Sequence, residues 1–172
     1  MNRFAYALCA IILLFSACEK FWEEPVVERD PNIFGVIGDW YSTGENVGIY
    51  VNTVYGVDSI FSSFYADSTY RIERFRGNSA SIFEGDFSQR RSEIDSIWSI
   101  TLKERKPNEI TLKGIFKITS ITKPYELKYE VIQVNPSIGL KAPTPEGGFG
   151  STSLQERNIQ TYIQMEYNDD AL

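Results

Sequence analysis

The side chains that carry most covalent and acid–base chemistry are scarce in this chain. It has no histidine, which removes Ser-His-Asp and Cys-His catalysis together with most zinc sites. Its two cysteines, Cys9 and Cys18, both lie near the N-terminus. A pair of carboxylates, as glycosidases use, is the hydrolytic constellation that remains. Glu84 with Asp86, and Glu93 with Asp95, stand two residues apart and would share one strand face. Opposite apolar residues on alternating strands, such acids read as the solvent side. Clustered calcium ligands of the Asp-x-Asp-x-Asp-Gly kind are missing from the sequence. A non-catalytic protein without a cofactor is the expectation. Aromatic residues offer a different capacity, because Trp98, Phe116, Tyr125 and Tyr129 fall on the phase assigned to the interior. There they either fill a core or line a cavity for a small ligand.

Cys18 follows Arg3, an apolar run over residues 4–15, and the small residues Ser16 and Ala17. The run is shorter than the roughly 20 residues needed to cross a bilayer, so it reads as the core of a cleaved leader. Phe15-Ser16-Ala17-Cys18 resembles the lipobox of Gram-negative lipoproteins. That resemblance implies a signal peptide over residues 1–17 and a diacylated thiol and acylated amine at Cys18. The protein would then be lipid-anchored at the outer membrane, on its periplasmic or cell-surface side, since two or more acyl chains make anchoring durable. Cys9 would leave with the leader, and the mature chain would keep no free thiol. Because only Arg3 is charged among residues 1–17, 16 basic residues would face 23 acidic ones. Arg71, Arg74, Arg76, Arg90 and Arg91 are interleaved with acids and turns, so no basic stripe offers itself to nucleic acid.

The elements that would position these residues are strands. Residues 18–32, with Glu23, Glu24, Pro25, Glu28, Asp30 and Pro31, read as a tether, and residues 33–172 as one domain. Apolar residues recur at every second position in Ile94 to Leu102, in Ile110 to Ile118 and in Tyr125 to Val131. Ile159, Thr161, Ile163 and Met165 alternate with polar partners in the same way. Each reads as a strand with one wet face. Further strands are expected over residues 39–43, 47–54, 59–65, 69–75 and 81–87, with turn chemistry at Gly77-Asn78, Pro107-Asn108 and Lys123-Pro124. An all-β antiparallel meander of about nine strands (eight to ten) avoids open edges by closing into a barrel or folding as a sandwich. Residues 135–155 hold three prolines and four glycines and read as a long loop, of a kind that is often functional or passively flexible.

Gly38-Asp39-Trp40, followed by this meander, resembles the opening of lipocalin-like barrels. In that family the Trp plugs the closed end and an Arg near the last strand packs on its indole. The resemblance implies a barrel, gives Gly38 and Trp40 the first two structural roles and offers Arg157 for the third. The functional expectation is a binding module for a small apolar or glycan ligand. The other reading is an interaction subunit or inhibitor with an envelope protein partner, working through loop 135–155.

Overall fold

The computed structural model describes residues 30–165, so Cys18 and residues 1–29 lie outside the described residues. Eight strands, β1 (Gly38–Thr43), β2 (Ser59–Phe64), β3 (Thr69–Arg76), β4 (Ser79–Arg91), β5 (Trp98–Lys106), β6 (Ile110–Ile118), β7 (Glu126–Asn135) and β8 (Gln160–Gln164), follow one another. Each pairs antiparallel with the next and β8 returns to β1, which makes a closed up-and-down barrel of the lipocalin-like kind rather than a sandwich. Two short α-helices, α1 (Pro31–Phe34) and α2 (Ile49–Tyr55), and two 3-10 turns, Gly44–Asn46 and Gln155–Asn158, complete the described residues.

Alternation decides which residues fill the barrel. Ile100 and Leu102 of β5 face Gly114 and Leu112 of β6, and Phe116 and Ile118 face Tyr129 and Leu127 of β7. These side chains belong to one core with Trp40, Phe64, Tyr70 and Phe87. The outer wall carries Arg71, Glu73 and Glu84, which ion-pair at 2.6–2.9 Å. An apolar inside and a charged outside are the reverse of a membrane-spanning barrel.

One end of the barrel is closed by Trp40, which is completely buried and donates its indole N–H to the Val36 carbonyl at 2.8 Å. Helix α1 lies at this end. The Asp30 side chain caps it by accepting from the Asn32 N–H, and Pro31 at its first position is buried. The Gln89 side chain of β4 ties it down, accepting from the Val36 N–H and donating to the Phe34 carbonyl, each at 2.9 Å. Asp30 to Asn32, read from the sequence with residues 18–32, therefore pack with the folded domain.

Residues 47–54 are not a strand. They form most of α2, which is bracketed by Gly48 and by Gly56, whose left-handed φ of 68° returns its N–H to the Asn52 carbonyl. Val47, extended just ahead of α2, and Val51 within it are buried and cover the other end of the barrel. The phase of β8 also differs from expectation. Gln160 and Tyr162 point inward, while Ile163 and Met165 face out. Both phases of this strand contain apolar residues, and the choice is made by pairing: Tyr162 stands opposite the inward Leu127.

The loop after β7 is fastened to the outer wall. Glu130, completely buried on the outward phase of β7, accepts from the Gly150 N–H at 2.8 Å and the Thr152 hydroxyl at 2.9 Å. Beside it Asn158 donates to the Val131 carbonyl, and Lys128 lies 4.8 Å from the Phe149 ring. The seam between β1 and β8 is short, with two paired positions, whereas β1 and β2 pair over six.

Candidate binding site

Trp98 and Phe116, two of the aromatics singled out above, stack on each other at 5.6 Å as a cross-strand pair. They lie in the half of the barrel toward the closed end, with the Arg91 guanidinium 5.9 Å over Trp98. Tyr125 packs at the edge of the core just before β7. These three fill the barrel. Tyr129 alone of the four reaches a cavity, which lies in the other half of the interior.

Ile60, Ile72, Phe83, Leu102, Leu112 and Val131 supply the apolar wall of that cavity. Its volume is about 20 Å³, room for one or two water-sized groups. Six polar side chains line the same space: Tyr70 and Arg74 from β3, Glu104 from β5, Tyr129 from β7, and Gln160 and Tyr162 from β8. Tyr162 donates to Gln160 Oε1 at 3.2 Å. The Tyr70 and Tyr129 hydroxyls and the Arg74 Nε are buried and find no hydrogen-bond partner among the described residues. The Arg74 guanidinium lies 4.5 Å over the Phe83 ring, a contact that leaves its N–H groups free to donate. Glu104 is buried too, and accepts only a long bond of 3.4 Å from the Asn108 N–H.

Burial sets the electrostatics of this group. It pushes the Tyr70 and Tyr129 phenols up, with Glu104 adding to the shift at Tyr70 and the Tyr162 phenol adding to it at Tyr129. It also raises the Glu104 carboxyl, against the Asn108 N–H and the Arg74 charge, which both lower it. The phenols are thus neutral donors at physiological pH, next to one cation and one carboxyl.

Arg74, Glu104, Gln160 and Tyr162 were not singled out from the sequence as site residues, and Tyr70 stood out only as one of the tyrosines Tyr41, Tyr50, Tyr55, Tyr65 and Tyr70 clustered in the first half of the chain as a candidate stacking surface. The signal for Glu104 was present, since it extends the inward phase of Ile100 and Leu102, as Arg74 extends that of Tyr70 and Ile72. Charge on an alternating strand ordinarily marks the solvent side, which runs against that signal. Gly38 has φ of +132°, and a Cβ there would come within 3.1 Å of the Gln164 amide. Arg157 does not stack on Trp40. It is exposed in the 3-10 turn ahead of β8, whereas Trp40 pairs with Gln164 at the other end of that strand. Seven residues at ~3.3 Å each separate the two by roughly 20 Å.

The singled-out carboxylates stand apart from the cavity. Glu84 is held on the outer wall by Arg71 and Lys106, and Asp95 by Lys117 at 2.8 Å.

Fold and site together define a small, closed antiparallel β-barrel whose interior is filled at one end and polar-lined at the other. Comparison of the chain with protein-family models, curated proteins and solved structures finds no match.

Proposed function

We propose that this protein is a lipid-anchored, non-catalytic binding module of the outer membrane that takes the polar group of a small apolar or glycan ligand into the cavity beneath α2. The observation that carries this reading is the convergence of Tyr70 Oη, Arg74 Nε and Tyr129 Oη, all unpartnered, on one apolar-walled space. A buried polar group left unpaired costs about 1–3 kcal/mol, so a ligand oxygen that accepts from two or three of them is strongly favoured. The apolar wall suits a hydrocarbon or a sugar face. Anything larger than the cavity enters by displacing α2. That helix has seven residues and no side-chain cap at its N-terminus, and it is held by Val51 and Tyr50 against the core and by the Asn52 side chain, which donates to the Val57 carbonyl. The anchor rests on the Phe15-Ser16-Ala17-Cys18 sequence. Among the described residues no helix is long and apolar enough to cross a membrane, and the charged outer wall suits water rather than lipid.

The test is a thermal-shift screen of fatty acids, lipid head groups and oligosaccharides, run in parallel on the protein and on Arg74→Met. A ligand at ~100 times its Kd stabilises the folded state by about 2.7 kcal/mol. The expected result is a compound that raises Tm in the parent and loses most of that effect in the variant. A shift of equal size in both places the ligand elsewhere and refutes the site.

A further inference from the structure

Both the entry to β1 and the even-to-odd turns gather at the Trp40 end of the barrel: α1, the β2–β3 and β4–β5 turns, the β6–β7 turn and the exit from β8. Each of them exposes a large apolar side chain. Ile33 (68%) and Phe34 stand on α1, Tyr65 after β2, Ile94 after β4, Ile121 (87%) after β6 and Met165 after β8. Single exposed apolar residues are ordinary, but a ring of them on one rim marks a contact surface. We infer that this rim is the face the protein lays on the bilayer, its apolar turn residues entering the lipid head-group layer. The inference rests on the lipid-anchor reading.

What selects a lipid surface as the occupant is the length of chain outside the described residues and the place where it joins. Eleven residues lie between Cys18 and Asp30, a length for which a random coil has a mean span of roughly 20 Å, and Asp30 enters the barrel at this rim. The nine residues of β5, rising ~3.3 Å each and tilted by about 40°, put the opposite end some 20 Å farther away. That end also exposes apolar residues, Ile49, Val54 and Tyr55 on α2, yet to bring it to the membrane the tether must run back along the whole barrel. The Trp40 rim needs no such excursion. Its charges, Arg90, Arg91, Lys117 and Lys123 against Asp30, Asp39, Asp67, Glu93 and Asp95, nearly balance, so the contact is apolar rather than a recognition of anionic lipid. This orientation also turns α2 and the cavity beneath it away from the bilayer, toward solvent-borne ligand.

Full-length protein purified from membranes, carrying Ile121→Cys, Ile33→Cys or Val54→Cys labelled with an environment-sensitive fluorophore, tests the orientation. Both native cysteines are consumed under the anchor reading, one cleaved and one acylated, so each label is unique. The protein is reconstituted into vesicles of phosphatidylethanolamine and phosphatidylglycerol. Labels at 121 and 33 should shift to the blue, brighten several-fold and be quenched by spin-labelled lipid, while the label at 54 keeps its aqueous spectrum. Flotation with the vesicles reports the anchor separately. Protein that floats with aqueous labels at 121 and 33 overturns the seating and leaves the anchor standing. Protein that fails to float overturns both.

Discussion

Replacing Trp40 with alanine tests the closure of the barrel. The indole is completely buried in the core, and its N–H satisfies the Val36 carbonyl in the segment joining α1 to β1. Loss of a large buried aromatic costs about 3–5 kcal/mol, and the unpaired carbonyl adds about 1 kcal/mol. The sum of about 4–6 kcal/mol is a large share of the 5–15 kcal/mol that holds a typical domain together. With a urea m-value of ~2 kcal/mol per molar, the unfolding midpoint should fall by about 2–3 M. Trp40→Phe keeps most of the packing and loses the hydrogen bond, so its midpoint should lie between the two. Equilibrium urea unfolding followed by far-ultraviolet circular dichroism reads both variants. A midpoint for Trp40→Ala within about 0.3 M of the parent would refute the indole as the plug of this end.

Three further outcomes are expected. Burial raises the Glu104 carboxyl, so the folded state holds this proton more tightly than the unfolded one. Its contribution is full below the ordinary carboxyl range near ~4.3 and is lost as pH rises through the folded value. Glu104→Gln should therefore gain midpoint over the parent at pH 7 and lose that gain near pH 4, and parallel pH profiles would contradict this. A Cβ at Gly114 would land on the backbone of Glu130 and Val131 in β7, so Gly114→Ala should part β6 from β7 and destabilise by at least the 1–3 kcal/mol of an overpacked core; soluble yield and urea midpoint measure it, and a parent-like midpoint would show that the strands can separate freely. Cys18→Ala should abolish incorporation of labelled palmitate and release the protein from the membrane fraction, whereas continued labelling would place the acyl chains elsewhere.

The strands that alternate in one phase only were legible. Ile100 and Leu102, or Leu127 and Tyr129, leave no choice of face, and their order with short turns dictated a meander. Where both phases hold apolar groups, as in β8, only the partner strand decides, and that information is not local. Residues 47–54 failed for a related reason: a valine at 47 and another at 51 satisfy both a strand's alternation and a helix's turn, and Gly48 and Gly56 tip the balance through backbone geometry. The site was the least legible part. Arg74 and Glu104 sit on inward phases, but a charge inside a barrel runs against the usual cost of burial, and composition argues for the surface until the cavity around them is known. Glu130 escaped notice likewise, because the loop that buries it begins five residues later and returns to it from across the outer wall.

The short seam between β1 and β8 bears on how the barrel is assembled and how it bears load. Its two strands are more than a hundred residues apart in the chain and share two paired positions, so joining them carries the largest loop-closure cost for the fewest hydrogen bonds. Every other strand pair is a hairpin or a near neighbour that forms from local chain. The seam should therefore be the last to zip in folding, after the other strands have paired. Among the described residues α1 and β1 come first in the chain. A pull from the N-terminal side thus reaches β1 before the other described strands, with six paired positions to β2 on one side and two to β8 on the other. Mechanical tension would open the barrel along that line and swing β1 outward with β2, exposing Trp40 and the interior while the hairpins from β3 to β7 stay paired.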